Sequence, residues 1–89
     1  MKDKKELEKI VRGFSNHRRI EILNLLDNSP GLFVVQISER LKVNLKTIAA
    51  HTIRLHGTGS VRKDVRGNRV CHTLTPRGKS ILNFLRTLE

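Results

Sequence analysis

Three features of this 89-residue sequence predict a mainly α fold with a small β-hairpin (α+β). Two short helical stretches are separated by only three residues, and the apolar repeat changes from helical to alternating beyond Gly59. The third feature is charge. Arg40 to Lys79 holds ten Lys or Arg and one acid, Asp64, a net +9 against +10 for the whole chain. Before it, Met1–Glu39 holds seven bases and six acids. A segment that concentrates the charge excess in this way is a surface for a polyanion.

The elements follow in order. Leu7, Ile10 and Val11 give Lys4–Val11 the spacing of a short amphipathic helix, which Gly13 is expected to interrupt. Ser15 and Asn16 offer N-caps to a second helix carrying Ile20, Ile22, Leu23, Leu25 and Leu26, and Asn28-Ser29-Pro30-Gly31 stops it. The β-branched run Leu32–Val35 predicts a brief strand, leading into a third helix over Gln36–Leu41. Lys42-Val43-Asn44 is then a tight link, with Asn44 capping a fourth helix from Leu45 to about His56. Val61, Val65, Val70 and Leu74 lie on two alternating runs separated by Gly67-Asn68. That loop sets Val65 opposite Val70, Val61 opposite Leu74 and Arg66 opposite Arg69. Thr75 caps the last helix, with Pro76 at its first position. The sum is a winged helix-turn-helix: four to five helices plus a two- or three-stranded wing.

Bulk composition bounds the class. The length allows one domain, residues 1–89, and 37% hydrophobic with 29% charged residues suits a globular chain. With no Trp or Tyr and three Phe, the core must be aliphatic. A single cysteine, Cys71, excludes an internal disulfide, in keeping with a reducing, cytoplasmic setting. No apolar run is long enough to span a membrane, and Met1–Lys9 lacks the apolar core of a signal peptide, so no membrane partner is expected.

Three segments carry a family resemblance. Phe14-Ser15-Asn16-His17-Arg18-Arg19-Ile20-Glu21-Ile22-Leu23 resembles the opening of ArsR-type winged-helix regulators, where an Arg precedes an apolar helix. Leu45-Lys46-Thr47-Ile48-Ala49-Ala50-His51 resembles their recognition helix, including its His. Thr73-Leu74-Thr75-Pro76-Arg77-Gly78 is similar to the segment after the wing in MarR- and PadR-like relatives. The resemblance covers roughly Phe14 to Leu85. Thr52-Ile53 reverses the usual apolar–polar order after the His, and Gly59-Ser60-Val61 replaces the usual entry to the wing. It implies a DNA-binding transcriptional regulator whose expected partners are duplex DNA and a second copy of the chain.

With Ile48, Thr52 and Leu55 as the buried stripe, the fourth helix shows Lys46, Ala50, Ile53 and Arg54 on its opposite face, with Thr47 on the flank. A helix fits the major groove, so Lys46, Thr47, Ala50 and Arg54 are the candidate base-reading residues. Lys42 and Asn44 fall where the chain would cross the backbone, and His51 would pack or bond a phosphate. The hairpin adds Arg62, Lys63, Arg66, Asn68 and Arg69 for the backbone and minor groove. Arg66 facing Arg69 is a repulsive pair that a phosphate between them would relieve. Leu7, Ile10, Val11 and Phe14, with Ile81, Phe84, Leu85 and Leu88, exceed what a three-helix core needs. They are expected to form a dimer interface on terminal helices at about 3–12 and 76–88.

Other chemistries find little support. His17, His51, His56 and His72 do not fall at zinc-ligand spacing, and the paired cysteines and last-helix acid/His set of metal-sensing ArsR proteins are missing. No metal and no cofactor are expected. There is no nucleophile–base pair and no phosphate-cradling glycine loop, so no enzyme is expected. Cys71 reads as a half-buried strand thiol. The competing readings are a winged helix used as a protein-interaction module and a non-specific nucleic-acid binder; the concentrated basicity argues against the first.

Overall fold

The computed structural model describes residues 2–89. In chain order the elements are α1 (Lys4–Phe14), α2 (His17–Asn28), β1 (Leu32–Phe33), α3 (Val34–Leu41), α4 (Leu45–Gly57), β2 (Val61–Arg66), β3 (Arg69–Leu74) and α5 (Pro76–Arg86). Polar residues start the helices as the sequence suggests. Asn16 Oδ1 accepts from the Arg18 and Arg19 amides, and Asn44 Oδ1 from those of Lys46 and Thr47. Thr75 Oγ1 accepts from the Gly78 amide. Each satisfies a backbone donor that the helix itself leaves free.

Two boundaries differ from expectation. The helix α1 runs through Gly13 to Phe14 instead of stopping before it. Gly13 is there for close approach: a Cβ on it would lie 2.5 Å from Thr58 Cγ2 and Oγ1 at the end of α4. The strand expected over Leu32–Val35 is only Leu32–Phe33, because α3 begins at Val34. Gln36 Oε1 accepts from the Phe33 amide at 2.9 Å, and this bond fixes the earlier start.

The sheet has order β1-β3-β2 and is antiparallel throughout. Val65 pairs with Val70, Val61 with Leu74 and Arg66 with Arg69, the register set by the Gly67-Asn68 loop. Gly67 has φ +65° while Asn68 stays out of the positive-φ region. The strained position is thus filled by the residue that tolerates it.

The core is aliphatic. Ile22, Leu23 and Leu26 of α2 meet Leu32, Ile37, Ile48, Leu55, Val61, Ile81 and Leu82, all buried. Ile81 therefore belongs to the interior of the single chain, and Ile10, Phe14 and Leu85 pack partly against the same cluster. α5 is tied to α2 from outside by Asp27, which takes Lys79 Nζ at 2.7 Å and Arg86 Nη2 at 2.9 Å. Hydrogen bonds from these two cations hold the Asp27 carboxyl below the usual carboxylate range.

His72 on β3 is almost fully buried and bonds the Leu32 carbonyl through Nδ1 at 3.0 Å. A carbonyl only accepts, so Nδ1 carries a proton and donates. Burial pushes the His72 pKa down, against a smaller upward pull from that bond, and Lys63 and His56 add to the lowering. The unfolded chain then binds more protons than the folded one below the ordinary histidine pKa of about 6.5. Stability is fully present above that value and is lost as pH falls from it toward the folded pKa. Chemical denaturation of the wild type should show this decline between pH 7 and 5. His72→Gln, which keeps a donor but cannot titrate, should be less stable at pH 7 and show a shallower decline; an unchanged slope would exclude His72 as its source.

Candidate nucleic-acid interface

The turn between α3 and α4 is closed by its own polar groups. Ser38 Oγ donates to the Val43 carbonyl at 2.6 Å, and the Lys42 and Val43 amides return to the Ser38 carbonyl. Lys42 adopts φ 56°, ψ 46°, the left-handed conformation that ends α3. Val43 packs against the core, and α4 leaves the turn with Asn44 as its cap. Asn44 thus serves the helix first; its carbonyl oxygen is engaged within the chain.

Ile48, Thr52 and Leu55 form the inward stripe of α4, all buried. Thr52 is accommodated there because its hydroxyl donates to the Ala49 carbonyl at 2.8 Å. Lys46, Thr47, Ala50, Ile53 and Arg54 are exposed on the other side. Ile53 is 62% exposed, an apolar residue amid cations on a free helix face.

In the wing, the side chains divide between the two sheet faces. Arg62, Asp64 and Arg66 share one face with Phe33, Arg69 and Cys71, while Lys63 lies on the other, opposite His72. Arg62 Nε meets Asp64 Oδ2 at 3.0 Å. The Arg69 guanidinium carbon lies 3.9 Å above the centroid of the Phe33 ring. The like-charged pair Arg66–Arg69 is therefore relieved within the chain, by a cation–π contact that draws Arg69 toward β1. Arg66 and Asn68 remain exposed at the tip. Cys71 is buried, in place of the half-buried thiol expected, on the central strand with Phe33 of β1 and Asp64 of β2 as its cross-strand neighbours.

One cluster was not assembled by sequence reasoning. His51, on the flank of α4, meets the N-terminal turn of α2: Arg19 Nη1 lies 3.3 Å from His51 Nδ1. Arg19 Nη2 donates to the Arg12 carbonyl at 3.2 Å. Arg54, His17 and Arg18 face the same ring. Burial lowers the His51 pKa, and the charges of Arg19, Arg54, His17 and Arg18 lower it further. Arg19 is itself lowered, by burial and then by Arg54. The only signal in the sequence was the Arg that precedes an apolar helix in the family resemblance; its partner lies 32 residues away.

Among the described residues, no three His, Cys, Asp or Glu side chains come together to hold a metal ion. Nor is any described helix long and apolar enough to cross a membrane. Of the apolar residues expected at a dimer interface, Val11, Phe84 and Leu88 are exposed, Leu88 lying beyond the end of α5 at Arg86, and Leu7 is half-buried.

The fold is a winged helix-turn-helix. No protein-family model matches the sequence, and no curated protein matches it significantly. Solved structures do. HlyU from Vibrio cholerae is similar at 25% identity and TM-score 0.82, over 98% of this chain and 95% of that one. The homodimeric winged helix-turn-helix DNA-binding domain of Mb0332 from Mycobacterium bovis, a possible ArsR-family transcriptional regulator, gives TM-score 0.84 at 21% identity, over 94% and 78%. The transcriptional repressor PagR of Bacillus anthracis gives 0.80 at 21%, over 91% and 93%. HlyU from Vibrio vulnificus, a transcriptional regulator, gives 0.76 at 23%, over 96% and 88%.

Proposed function

We propose that this chain is a cytoplasmic, sequence-specific regulator of transcription that binds double-stranded DNA as a homodimer and acts as a repressor. In this reading α4 enters the major groove and the wing follows the backbone and minor groove. The observation that carries it is the unpaired charge. Lys42, Lys46, Arg54, Lys63 and Arg66 lie on the helix-turn-helix and wing, and none forms an ion pair with a carboxylate among the described residues. Lys46, Thr47, Ala50 and Arg54 present two cations, a hydroxyl and a methyl to base edges. Lys42, His51, Arg66 and Asn68 meet the backbone, with Arg62 and Arg69 released from Asp64 and Phe33 only if DNA competes for them.

The dimer reading is supported by apolar side chains left outside the core, Val11, Phe84 and Leu88. The Mb0332 domain is homodimeric and PagR is a repressor, which favours the same assembly and role for this chain. Selection of bound sites from random duplex DNA, followed by competition between the selected site and random duplex at physiological salt, tests the function. Equal affinity for both would overturn sequence specificity. Sedimentation as a monomer at micromolar concentration, with and without the selected site, would overturn the dimer.

Arg54→Ala should weaken the selected site by about 1–3 kcal/mol and random duplex much less. Arg66→Ala should weaken both alike and reduce the log–log salt slope by about 1. Equal, sequence-independent losses from both variants would refute this division between helix and wing.

A further inference from the structure

Arg19 is a cation 8% exposed, yet it forms no ion pair among the described residues, and its Nε has no hydrogen-bond partner. A buried charge ordinarily has a counter-charge. Here the groups around it are the Arg12 carbonyl, the His51 ring and a second cation, Arg54.

The chemistry of that contact fixes the state of the histidine. A guanidinium has donors only, so the ring nitrogen 3.3 Å from Arg19 Nη1 must present a lone pair. Nδ1 is therefore unprotonated, the ring is neutral, and its single proton is on Nε2. Protonating Nδ1 would set N–H against N–H beside a buried cation. The other groups facing the ring are Arg18 and His17 on α2 and Arg54 on α4, and no acid is among them. The nearest carboxylate on α2, Glu21, is held by Arg18 at 3.2 Å. The ring is half-buried, at the junction of α2 and the exposed flank of α4.

We infer that Arg19 is a positioning residue of the DNA-binding surface: it locks His51 as the neutral Nε2–H tautomer, so that α4 offers this N–H to a backbone phosphate at the junction with α2. The inference rests on the DNA-binding reading and names one phosphate contact within it. The phosphate supplies the anion that the cluster of Arg19, Arg54, Arg18 and His17 lacks. Its contribution is independent of sequence, because a phosphate oxygen is the same at every step.

The test has two arms on the full chain. Long-range proton–nitrogen correlation spectra of the histidine rings, followed over pH, should show His51 as Nε2–H at pH 7, protonating only below the ordinary imidazole range. Arg19→Lys retains a cationic donor and should keep that tautomer; Arg19→Leu should release it and move the titration upward. If Arg19→Leu fails to fold, the wild-type tautomer and Arg19→Lys still decide. An Nδ1–H or doubly protonated ring at pH 7 in the wild type overturns the inference, as does a folded Arg19→Leu whose ring titrates as before.

In the second arm, affinity for random-sequence duplex is measured. His51→Ala should lose roughly tenfold, the scale of one hydrogen bond to a charged group. His51→Gln, a neutral donor, should recover most of it. Arg19→Leu should weaken the wild type but add nothing in the His51→Ala background, whereas additive losses overturn the coupling. An Nε2–H tautomer in a chain that binds no duplex even at low salt overturns the DNA reading and the phosphate contact together. Duplex binding by a chain with Nδ1–H overturns this inference alone.

Discussion

Gly78→Ala is expected to lower the melting temperature by on the order of 10–20 °C, from a loss of about 2–3 kcal/mol. In an ordinary helix the same change stabilises, since alanine is the better helix former by about 1 kcal/mol. Gly78 is in the first turns of α5, and a Cβ there would overlap the Ser60 carbonyl oxygen. That oxygen is fixed, because it accepts from the Thr75 amide at 3.2 Å. Backbone must therefore move at the junction where the wing begins and α5 is capped. Gly57, the last residue of α4, is the control, for nothing lies within 4 Å of the Cβ it would gain. Gly57→Ala should be neutral or stabilise by up to about 1 kcal/mol. Thermal melts of the two variants beside the wild type check the contrast, and equal melting temperatures would show that α5 yields without cost.

The second large effect concerns salt. Three cations on the helix-turn-helix and wing that are not assigned to base edges, Lys42, Lys63 and Arg66, form no ion pair among the described residues. If each meets a phosphate, counterion release gives a log–log slope of about −3 per chain. Between 50 and 200 mM monovalent salt, affinity for random duplex should then fall by roughly fortyfold per chain. Arg62 and Arg69 are left out of that sum because Asp64 and Phe33 already hold them. A measured slope near −4 to −5 would show that DNA strips both from their partners, and a slope near −1 would contradict a phosphate-binding surface. Fluorescence anisotropy over a salt series distinguishes these.

Local signals in this sequence have local meanings, and those were legible. Asn44 three residues beyond α3, and Gly67-Asn68 between alternating runs, fix a cap and a register through bonds within a few residues. Three features escaped because their cause lies far along the chain. Gly13 reads locally as a helix breaker, yet it is a helical residue whose small size serves Thr58, 45 positions on. Arg69 reads as a free wing cation until β1 brings Phe33 beneath it. His51 reads as a residue that packs or bonds a phosphate, and Arg19 only as part of the family segment; the packing of α2 against α4 makes them a pair. The candidate surface was visible as charge density, while the assignment of each cation to a protein or solvent partner required the fold.

The contact between Gly13 and Thr58 has a mechanical side. With helix backbone on one side and the Thr58 side chain on the other, α1 has no clearance to slide along the end of α4. A second copy docked on the outer side of α1, where Val11 is exposed, would meet a helix whose spacing from the end of α4 is set by a single missing methyl group.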